Sequence, residues 1–198
     1  MMKSIINKLS KNLHLFVYLR KIIEFNFIYI EKILKKEINN RSKKIKILDI
    51  GCGSGEISRF FNNLDYIGID VNPDYIEFAR KIYKKNFEVM NAQKLRFKKH
   101  YFDYVVIIGV LHHIDDKNCN LILNEIKRVI KDTGKIIIIE DVNTQSKIDL
   151  LGNIIRKLDV GEHIRTQKEW LELLSKKINI KKQYRFKSFI PTYEVFIS

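Results

Sequence analysis

Three glycines in one short loop are the residues whose spacing points most directly to ligand binding. The run ILDIGCGSGEIS occupies residues 47–58, and Gly51, Gly53 and Gly55 follow an apolar stretch that ends at Asp49. Glycine lets the backbone adopt positive φ angles and approach a ligand closely. In an open parallel sheet, ligands bind beyond the carboxyl ends of the strands. The pattern therefore predicts a strand-to-helix turn whose backbone binds a small molecule.

Two acidic residues indicate the class of that ligand. A dinucleotide-binding loop has its third glycine where this chain has Glu56, and a glutamate at a helix N-terminus would repel a pyrophosphate. Asp70 ends the next apolar run, where a carboxylate can accept hydrogen bonds from ribose hydroxyls. Its alternative role is to cap the helix that begins near Pro73. A ligand with a ribose and no phosphate is favoured, and S-adenosylmethionine (SAM) is such a ligand.

Further polar residues could act on a substrate beside this loop. His112 and His113 follow the fourth apolar run, and Glu140 and Asp141 end the fifth. Histidine is the commonest general base in proteins. Solvated strand ends are the alternative interpretation of Glu140 and Asp141.

The segment DVGEHIRTQKEW at 159–170 carries a second polar group. Thr166 and Glu169 form a capping-box pattern, which accounts for both as the start of a helix. His163 and Arg165 have no such explanation, so they remain candidates for the site. Trp170 lies on the helix that follows, and we expect it in the core.

The alternation of apolar runs with amphipathic stretches predicts an α/β fold. Strands are expected at 46–49, 66–70, 87–91, 104–109, 135–140, 178–186 and 192–197. Helices are expected at 56–62, 73–84, 118–130, 147–157 and 167–177, with a turn at 132–134. Continuous apolar strands between helices are typical of a Rossmann-like, doubly wound parallel sheet covered on both faces. Residues 45–198 would form this single domain.

Residues 1–44 are expected to form a helical extension. An apolar stripe recurs at steps of three and four residues, interrupted near Asn26: Leu9, Leu13, Phe16, Leu19, Ile23, Phe27, Ile30 and Leu34. Such an apolar stripe is expected to pack against another part of the protein or against a membrane. A lid over the ligand site is favoured, and a helix lying in the plane of a membrane is the alternative, supported by its lysines and arginines.

Composition limits the remaining possibilities. The 198 residues carry a formal net charge of +14, which we interpret mainly as solvated surface. Cys52 and Cys119 stand far apart without metal-ligand spacing, so we expect neither a disulfide nor a metal site. No apolar run reaches membrane-spanning length. A cytoplasmic protein is expected, and its oligomeric state is left open.

The order of these motifs resembles the class I SAM-dependent methyltransferases, and in particular small-molecule enzymes of the type 11 or quinone-methyltransferase kind. The resemblance is carried by ILDIGCGSG (47–55), GIDVN (68–72), Asn91-Ala92, FDYVVIIGVLHHI (102–114) and KDTGKIIIIE (131–140). It implies a seven-stranded, mostly parallel sheet with an antiparallel last strand. It also implies SAM as cofactor and methyl transfer to a small, perhaps anionic molecule at oxygen, nitrogen or carbon.

The resemblance implies one set of cofactor-binding residues: Asp49, Gly51, Cys52, Gly53, Gly55, Asp70, Val71, Asn91, Ala92, Gly109 and Val110. Within this set the glycine loop would hold the methionine part and Asp70 the ribose. Val71 would pack on the adenine, and Asn91, where the family more often has Asp, would accept from the adenine amino group. Gly109 and Val110 would lie beside the sulfonium.

The resemblance also implies where the acceptor binds. The position of His112 would face the acceptor and that of His113 would pack inward. The stretch after the fifth strand would line the acceptor pocket, which makes His163 and Arg165 acceptor contacts. The catalytic candidates are therefore His112, His163 and Arg165.

Other functions are less compatible with the sequence. Enzymes that methylate base amines carry a [DN]PP[YFW] tetrad after the fourth strand, whereas residues 109–114 read GVLHHI. Neither cysteine has the Pro-Cys context of a cytosine-C5 enzyme. A nucleic-acid (RNA) methyltransferase and a catalytically silent SAM-binding protein remain the alternatives. Glu56 argues against a nicotinamide oxidoreductase.

Overall fold

The computed structural model describes residues 13–38, 45–143, 163–188 and 191–198. Its strands are β1 (Lys46–Ile50), β2 (Asp65–Asp70), β3 (Asn86–Val89), β4 (Phe102–Ile108), β5 (Ile130–Asp141), β6 (Lys182–Lys187) and β7 (Thr192–Ile197). They form one seven-stranded sheet in the order β3-β2-β1-β4-β5-β7-β6. The pairs from β3 to β5 are parallel, and β7 is antiparallel to both β5 and β6. The predicted doubly wound sheet with an antiparallel last strand is confirmed.

Helices connect these strands. The α-helices are α1 (Leu13–Ile23), α2 (Ile28–Glu37), α3 (Pro73–Ile82), α4 (Asp116–Val129) and α5 (Gln167–Ser175). Short 3-10 helices cover Phe25–Phe27, Glu56–Phe61 and Leu111–His113. The helix expected after the glycine loop is thus a 3-10 helix. The helix expected at 147–157 lies outside the described residues. None of the described helices combines the length and apolarity needed to cross a membrane.

Successive residues of the central strands pack into two hydrophobic cores, one on each face of the sheet. In β4, Val105 and Ile107 belong to the core that contains α4 and α5, whereas Val106 and Ile108 belong to the core that contains α2 and α3. Side chains of a strand alternate between the faces of a sheet. Because both faces are covered, consecutive positions in the middle of these strands are apolar, which explains the continuous runs in the sequence.

The start of β5 departs from the prediction. The expected turn at 132–134 lies inside the strand, between the pairs Phe102–Ile130 and Tyr104–Lys135. Since β4 advances by two residues there and β5 by five, the extra residues form a bulge. A Cβ at Gly134 would lie 2.9 Å from the carbonyl oxygen of Lys131. Residues 132–134 therefore form part of a bulge in which position 134 has to be glycine.

The N-terminal helices α1 and α2 are separated by a sharp break. Phe25, Asn26 and Phe27 all have positive φ angles, which confirms the expected interruption near Asn26. Beyond it, Ile30 and Leu34 of α2 are buried against the sheet, as the apolar stripe predicts.

The orientation of α1 differs from the prediction. Val17 and Glu24 are buried, whereas Leu19, a member of the predicted stripe, is exposed. Three consecutive left-handed residues turn the chain between the helices. The apolar stripe in the sequence therefore does not predict which face of α1 is buried.

Candidate active site

The carboxyl ends of β1, β2 and β4 lie at one edge of the sheet beside the glycine loop 51–55, and we call this site the cradle. Hydrogen bonds hold the loop in place there. The amides of Gly51 and Cys52 both donate to the carbonyl oxygen of Ile69 at the end of β2 (2.8 and 2.9 Å). The amide of Gly53 donates to Oδ2 of Asp70 (2.9 Å). These bonds wrap the glycine loop over the end of β2, which places the loop beside Asp70 as the sequence predicts.

Gly53 and Gly55 of the loop differ in what surrounds the position that a Cβ would take. Gly53 has a φ of +52°, and a Cβ built on it would have Nη1 of Arg20 as its nearest neighbour, at 3.6 Å. Gly55 has a φ of +85°, and its Cβ would lie 2.9 Å from both Ala79 and Phe87. Gly55 is therefore needed for packing within the fold, whereas Gly53 lies beside open space in the cradle.

Asp70 holds the glycine loop against the end of β2 and is not the cap of α3. The side chain of Asn72 caps α3 by accepting from the amides of Asp74 and Tyr75. Asp70 accepts from the amides of Gly53 and Asn72, one at each oxygen (2.9 Å each). A carboxylate has about four acceptor sites, so both oxygens can still accept from ribose hydroxyls.

The residues expected to contact adenine lie at the same edge of the sheet. Val71 directly follows Asp70, and its apolar side chain is 66% exposed. Oδ1 of Asn91 accepts from the amide of Gln93 (2.8 Å) in the turn that follows β3. Ala92 packs partly against the core. Val71 thus offers an apolar surface that a bound adenine would cover.

Asp49 is buried beneath the loop with Tyr66 as its partner. The Tyr66 hydroxyl donates to Oδ2 of Asp49 (2.6 Å). Burial raises the pKa of Asp49 to about 7, and this outweighs the hydrogen bond from Tyr66, which lowers it. Burial also raises the pKa of the Cys52 thiol, which is consistent with an unreactive cysteine.

Arg20 of α1 reaches the centre of the cradle, and the sequence analysis did not select it for the cofactor site. Its Nη1 and Nη2 lie 3.6 and 3.9 Å from the positions that a Cβ would take on Gly53 and Gly109. Burial by itself would lower the pKa of Arg20, but nearby acidic groups, with Glu24 foremost, raise it above its usual value. Its spacing from Glu24, one helical turn later on an otherwise apolar helix, is the signal that could have identified it.

Glu56 adds a buried acceptor beside this guanidinium. Its Oε2 accepts from the Ser54 hydroxyl (2.7 Å). Its Oε1 is buried and has no hydrogen-bond partner in the structure. Such an oxygen is costly to bury unless a donor reaches it. The cradle therefore offers one cationic and one anionic group to a ligand, which fits the zwitterionic methionine end of SAM.

The loop after β4 holds a buried carboxylate–imidazole pair. Nδ1 of His112 lies 2.8 Å from Oε2 of Glu140, and both side chains are almost completely buried. Oε1 of Glu140 accepts from the amides of Val110 and Leu111 (3.0 and 2.7 Å). Every described neighbour of this carboxylate is a donor, so Nδ1 of His112 carries a proton that points to Glu140.

His112 lies next to the cofactor cradle. Its Cε1 is 3.7 Å from the position that a Cβ would take on Gly109. The expectation that His113 packs inward is wrong, because His113 is exposed and His112 is buried. The bond to Glu140 holds the His112 ring inside the loop and leaves its neighbour outside.

His163 is brought beside this loop. Its amide donates to the carbonyl oxygen of His112 (2.9 Å), so the chain crosses the mouth of the site there. The positive charge of a protonated His163 helps to lower the pKa of Asp115, after the hydrogen bonds from Asn118. His163 is half-buried and remains a candidate acceptor contact, whereas Asp159 and Glu162 lie outside the described residues.

Arg165 has a structural role instead of the expected acceptor contact. Its Nε and Nη2 donate to Oδ1 of Asp116 (2.9 and 2.7 Å). Nη1 donates to the carbonyl oxygens of Leu111 and His163, and Nη2 to that of Ile114. A guanidinium has five N–H donors, so none is left for a substrate carboxylate. The hydrogen bonds of Arg165 instead hold the loop that carries His112 in place.

Replacing Arg165 with methionine is therefore expected to destabilise the fold rather than to raise an acceptor KM. It would leave three carbonyl oxygens without their donor, at a cost of about 2–4 kcal/mol in the free energy of unfolding. Urea denaturation would measure the loss. The matched control is Lys168→Met, an exposed lysine on α5, which should be neutral. Unchanged stability with a raised acceptor KM would return Arg165 to the substrate site.

The predictions for the start of α5 and for Trp170 are confirmed. Thr166 and Glu169 form the capping box of α5. Trp170 is fully buried, and its indole N–H donates to the carbonyl oxygen of Asp141 (3.0 Å). Within the described ranges, no group of histidine, cysteine or acidic side chains has a metal-binding arrangement.

Fold and site together define a class I SAM-binding domain. The methyltransferase-domain family matches residues 41–183, and the chain therefore belongs to that family. Its cofactor is SAM. A SAM-dependent methyltransferase of Methanosarcina mazei is 26% identical, with a TM-score of 0.69 over 83% of this chain and 95% of that one. A protein of Pyrococcus horikoshii has the same fold, with a TM-score of 0.70 at 20% identity over 91% and 89% of the two chains.

Among curated relatives, the ubiquinone biosynthesis O-methyltransferase of Pelagibacter ubique is 30% identical over 152 residues. That match covers 68% of this chain and 62% of the relative. The chain spans less than half the length of other curated relatives that it matches. The similar proteins therefore establish the family and the cofactor. The methyl acceptor follows from the geometry of the site instead.

Proposed function

We propose that this protein transfers the methyl group of SAM to a protonated small-molecule acceptor. The observation that carries the proposal is the buried His112–Glu140 pair, which lies beside Gly109 at the edge of the sheet that forms the cofactor cradle. A base at this place is useful only if the acceptor must lose a proton, as a hydroxyl, an ammonium or an acidic C–H group does. The similarity to an O-methyltransferase of ubiquinone biosynthesis supports a small acceptor.

Cofactor binding would rest on four elements of the cradle. Arg20 would hold the methionine carboxylate, and Oε1 of Glu56, which is buried and has no hydrogen-bond partner among the described residues, would accept from the methionine ammonium. Asp70 would bind the ribose and Val71 would cover the adenine. When bound, SAM supplies a methyl group that its sulfonium charge activates for displacement. The protein then has to align the acceptor and exclude water.

The His112–Glu140 pair would prepare the acceptor. Glu140 would hold the Nδ1 proton of His112, so that Nε2 serves as the basic nitrogen. Nε2 would take the proton of the acceptor as the methyl group is transferred, and Glu140 would stabilise the charged ring that results. His163 and the chain after β5 would contribute further contacts to the acceptor.

The cofactor part of the proposal is tested by an arginine exchange on α1. Arg20→Ala should weaken SAM binding in calorimetry by about 1.5–3 kcal/mol, the usual worth of hydrogen bonds to a charged group. Lys21→Ala removes the same charge from the next position and should bind SAM normally. No binding of NAD is expected to either protein. Equal affinities of the two variants for SAM would contradict the role of Arg20.

The acceptor part is tested by following S-adenosylhomocysteine formation with separate pools of small metabolites and of RNA. Turnover with a protonated small molecule, and none with RNA, is expected. Turnover with RNA alone would replace the proposal by the alternative of a nucleic-acid methyltransferase.

A further inference from the structure

Helix α1 leaves several large apolar side chains exposed, and it turns Val17 and Arg20 toward the protein. Its inner face carries Arg20 and the buried Glu24, which accepts from the hydroxyls of Ser188 and Tyr193. A surface helix normally has the opposite arrangement. The cradle and these hydrogen bonds explain the charged residues on the inner face. They do not explain the exposed apolar residues on the outer face.

The outer face forms a continuous apolar patch, which we call the α1 patch. Its members are Tyr18, Leu19 and Ile22, which recur at helical spacing, and Tyr29 at the start of α2. Tyr18 is 62% and Ile22 is 52% exposed. Of the ten large hydrophobic side chains that are exposed in the described residues, six lie between positions 15 and 29. Exposed apolar side chains that cluster in this way mark an interaction surface.

The charges around the patch are positive. Lys21 lies beside it, and Nζ of Lys32 lies 5.7 Å from the centre of the Tyr29 ring. Of the acidic residues in positions 13–38, two are buried, and the third, Glu31, is paired with Lys35 (2.6 Å). The patch therefore combines aromatic and aliphatic side chains with unopposed lysines.

We infer that the α1 patch docks on an anionic membrane surface. Apolar side chains would enter the boundary between headgroups and acyl chains, and the lysines would pair with lipid phosphates, each contributing about 1 kcal/mol near the surface. A second copy of this chain fits less well, since a symmetric contact would bring the lysines of both copies together. The net charge of +14 adds to the attraction toward anionic lipid. The inference does not depend on the proposed methyl acceptor.

The test is flotation of the full chain with vesicles of phosphatidylcholine alone or mixed with phosphatidylglycerol. Flotation is expected only with the anionic vesicles, and it should decrease at high salt. Tyr18→Glu combined with Ile22→Glu should reduce the bound fraction at least about tenfold, since both apolar side chains leave the interface. Both side chains point away from the protein, so SAM affinity should be retained.

The matched control combines Ile82→Glu with Leu121→Glu, which adds the same charge at exposed apolar positions of α3 and α4. This control should float like the wild type. Equal flotation of the two double variants, or no flotation of the wild type, would overturn the inference. Sedimentation that reveals a dimer dependent on Tyr18 and Ile22, without vesicle binding, would assign the patch to a second copy instead.

Discussion

Replacing Gly53 with valine is expected to abolish SAM binding while leaving a folded protein. A side chain at this position would project into the open cradle beside Arg20, where the ligand's methionine part is proposed to bind. The φ of +52° also disfavours any β-branched residue, at a cost of about 1–2 kcal/mol. Calorimetry should detect no SAM binding, and thermal unfolding should show only a modest shift.

Two further glycine variants make this result interpretable. Gly53→Ala carries the same backbone strain with a smaller side chain, so its affinity should lie between those of the wild type and the valine variant. Gly55→Ala should instead destabilise the fold, because its Cβ would be forced against Ala79 and Phe87. Normal SAM affinity in Gly53→Val would refute the cradle as the cofactor site.

Replacing His112 with alanine is expected to lower kcat about a hundredfold while leaving SAM affinity nearly unchanged. Without the imidazole, the acidic limb of the pH–rate profile should disappear, because the group proposed as the base has been removed. Steady-state kinetics across pH would measure both effects. His100→Ala is the matched control, since this exposed ring pairs with Asp132 and should not affect turnover.

Glu140→Gln tests whether the carboxylate positions the histidine. The amide keeps the size of the side chain but offers one acceptor oxygen, where the carboxylate serves the amides of Val110 and Leu111 together with Nδ1 of His112. We expect a lower kcat and a shifted pH profile rather than a change in KM. Wild-type kinetics in both His112→Ala and Glu140→Gln would move the chemistry elsewhere, with His163 as the next candidate.

Much of the cofactor site can be predicted from the sequence because its parts are local. The loop from Gly51 to Gly55 and the acid Asp70 each follow a recognisable apolar run, and parallel strands bring their carboxyl ends to one edge. Local patterns also account for the capping box of α5 and for the proline that begins α3. Apart from the turn expected at 132–134, which is a bulge inside β5, the elements that neighbouring residues specify are confirmed.

The errors concern side chains whose partners are distant in the sequence. Arg165 had no local explanation and was interpreted as a substrate contact, but its donors bind atoms about fifty residues earlier in the chain. His112 and His113 are adjacent, and only the contact of His112 with Glu140 decides which of them is buried. No local pattern encodes these pairings, because they depend on how the loops cross above the sheet.

The sequence by itself determined the class of fold, the order of its strands along the chain and the glycine–aspartate cradle for SAM. These follow from hydrophobic periodicity and from the conformational freedom of glycine, which act over a few residues. The tertiary structure decided that Arg20 enters the cradle, that Glu140 orients His112 and that α1 leaves several large apolar side chains exposed. These features depend on three consecutive left-handed residues and on contacts across the fold, where packing and burial determine which way a side chain faces.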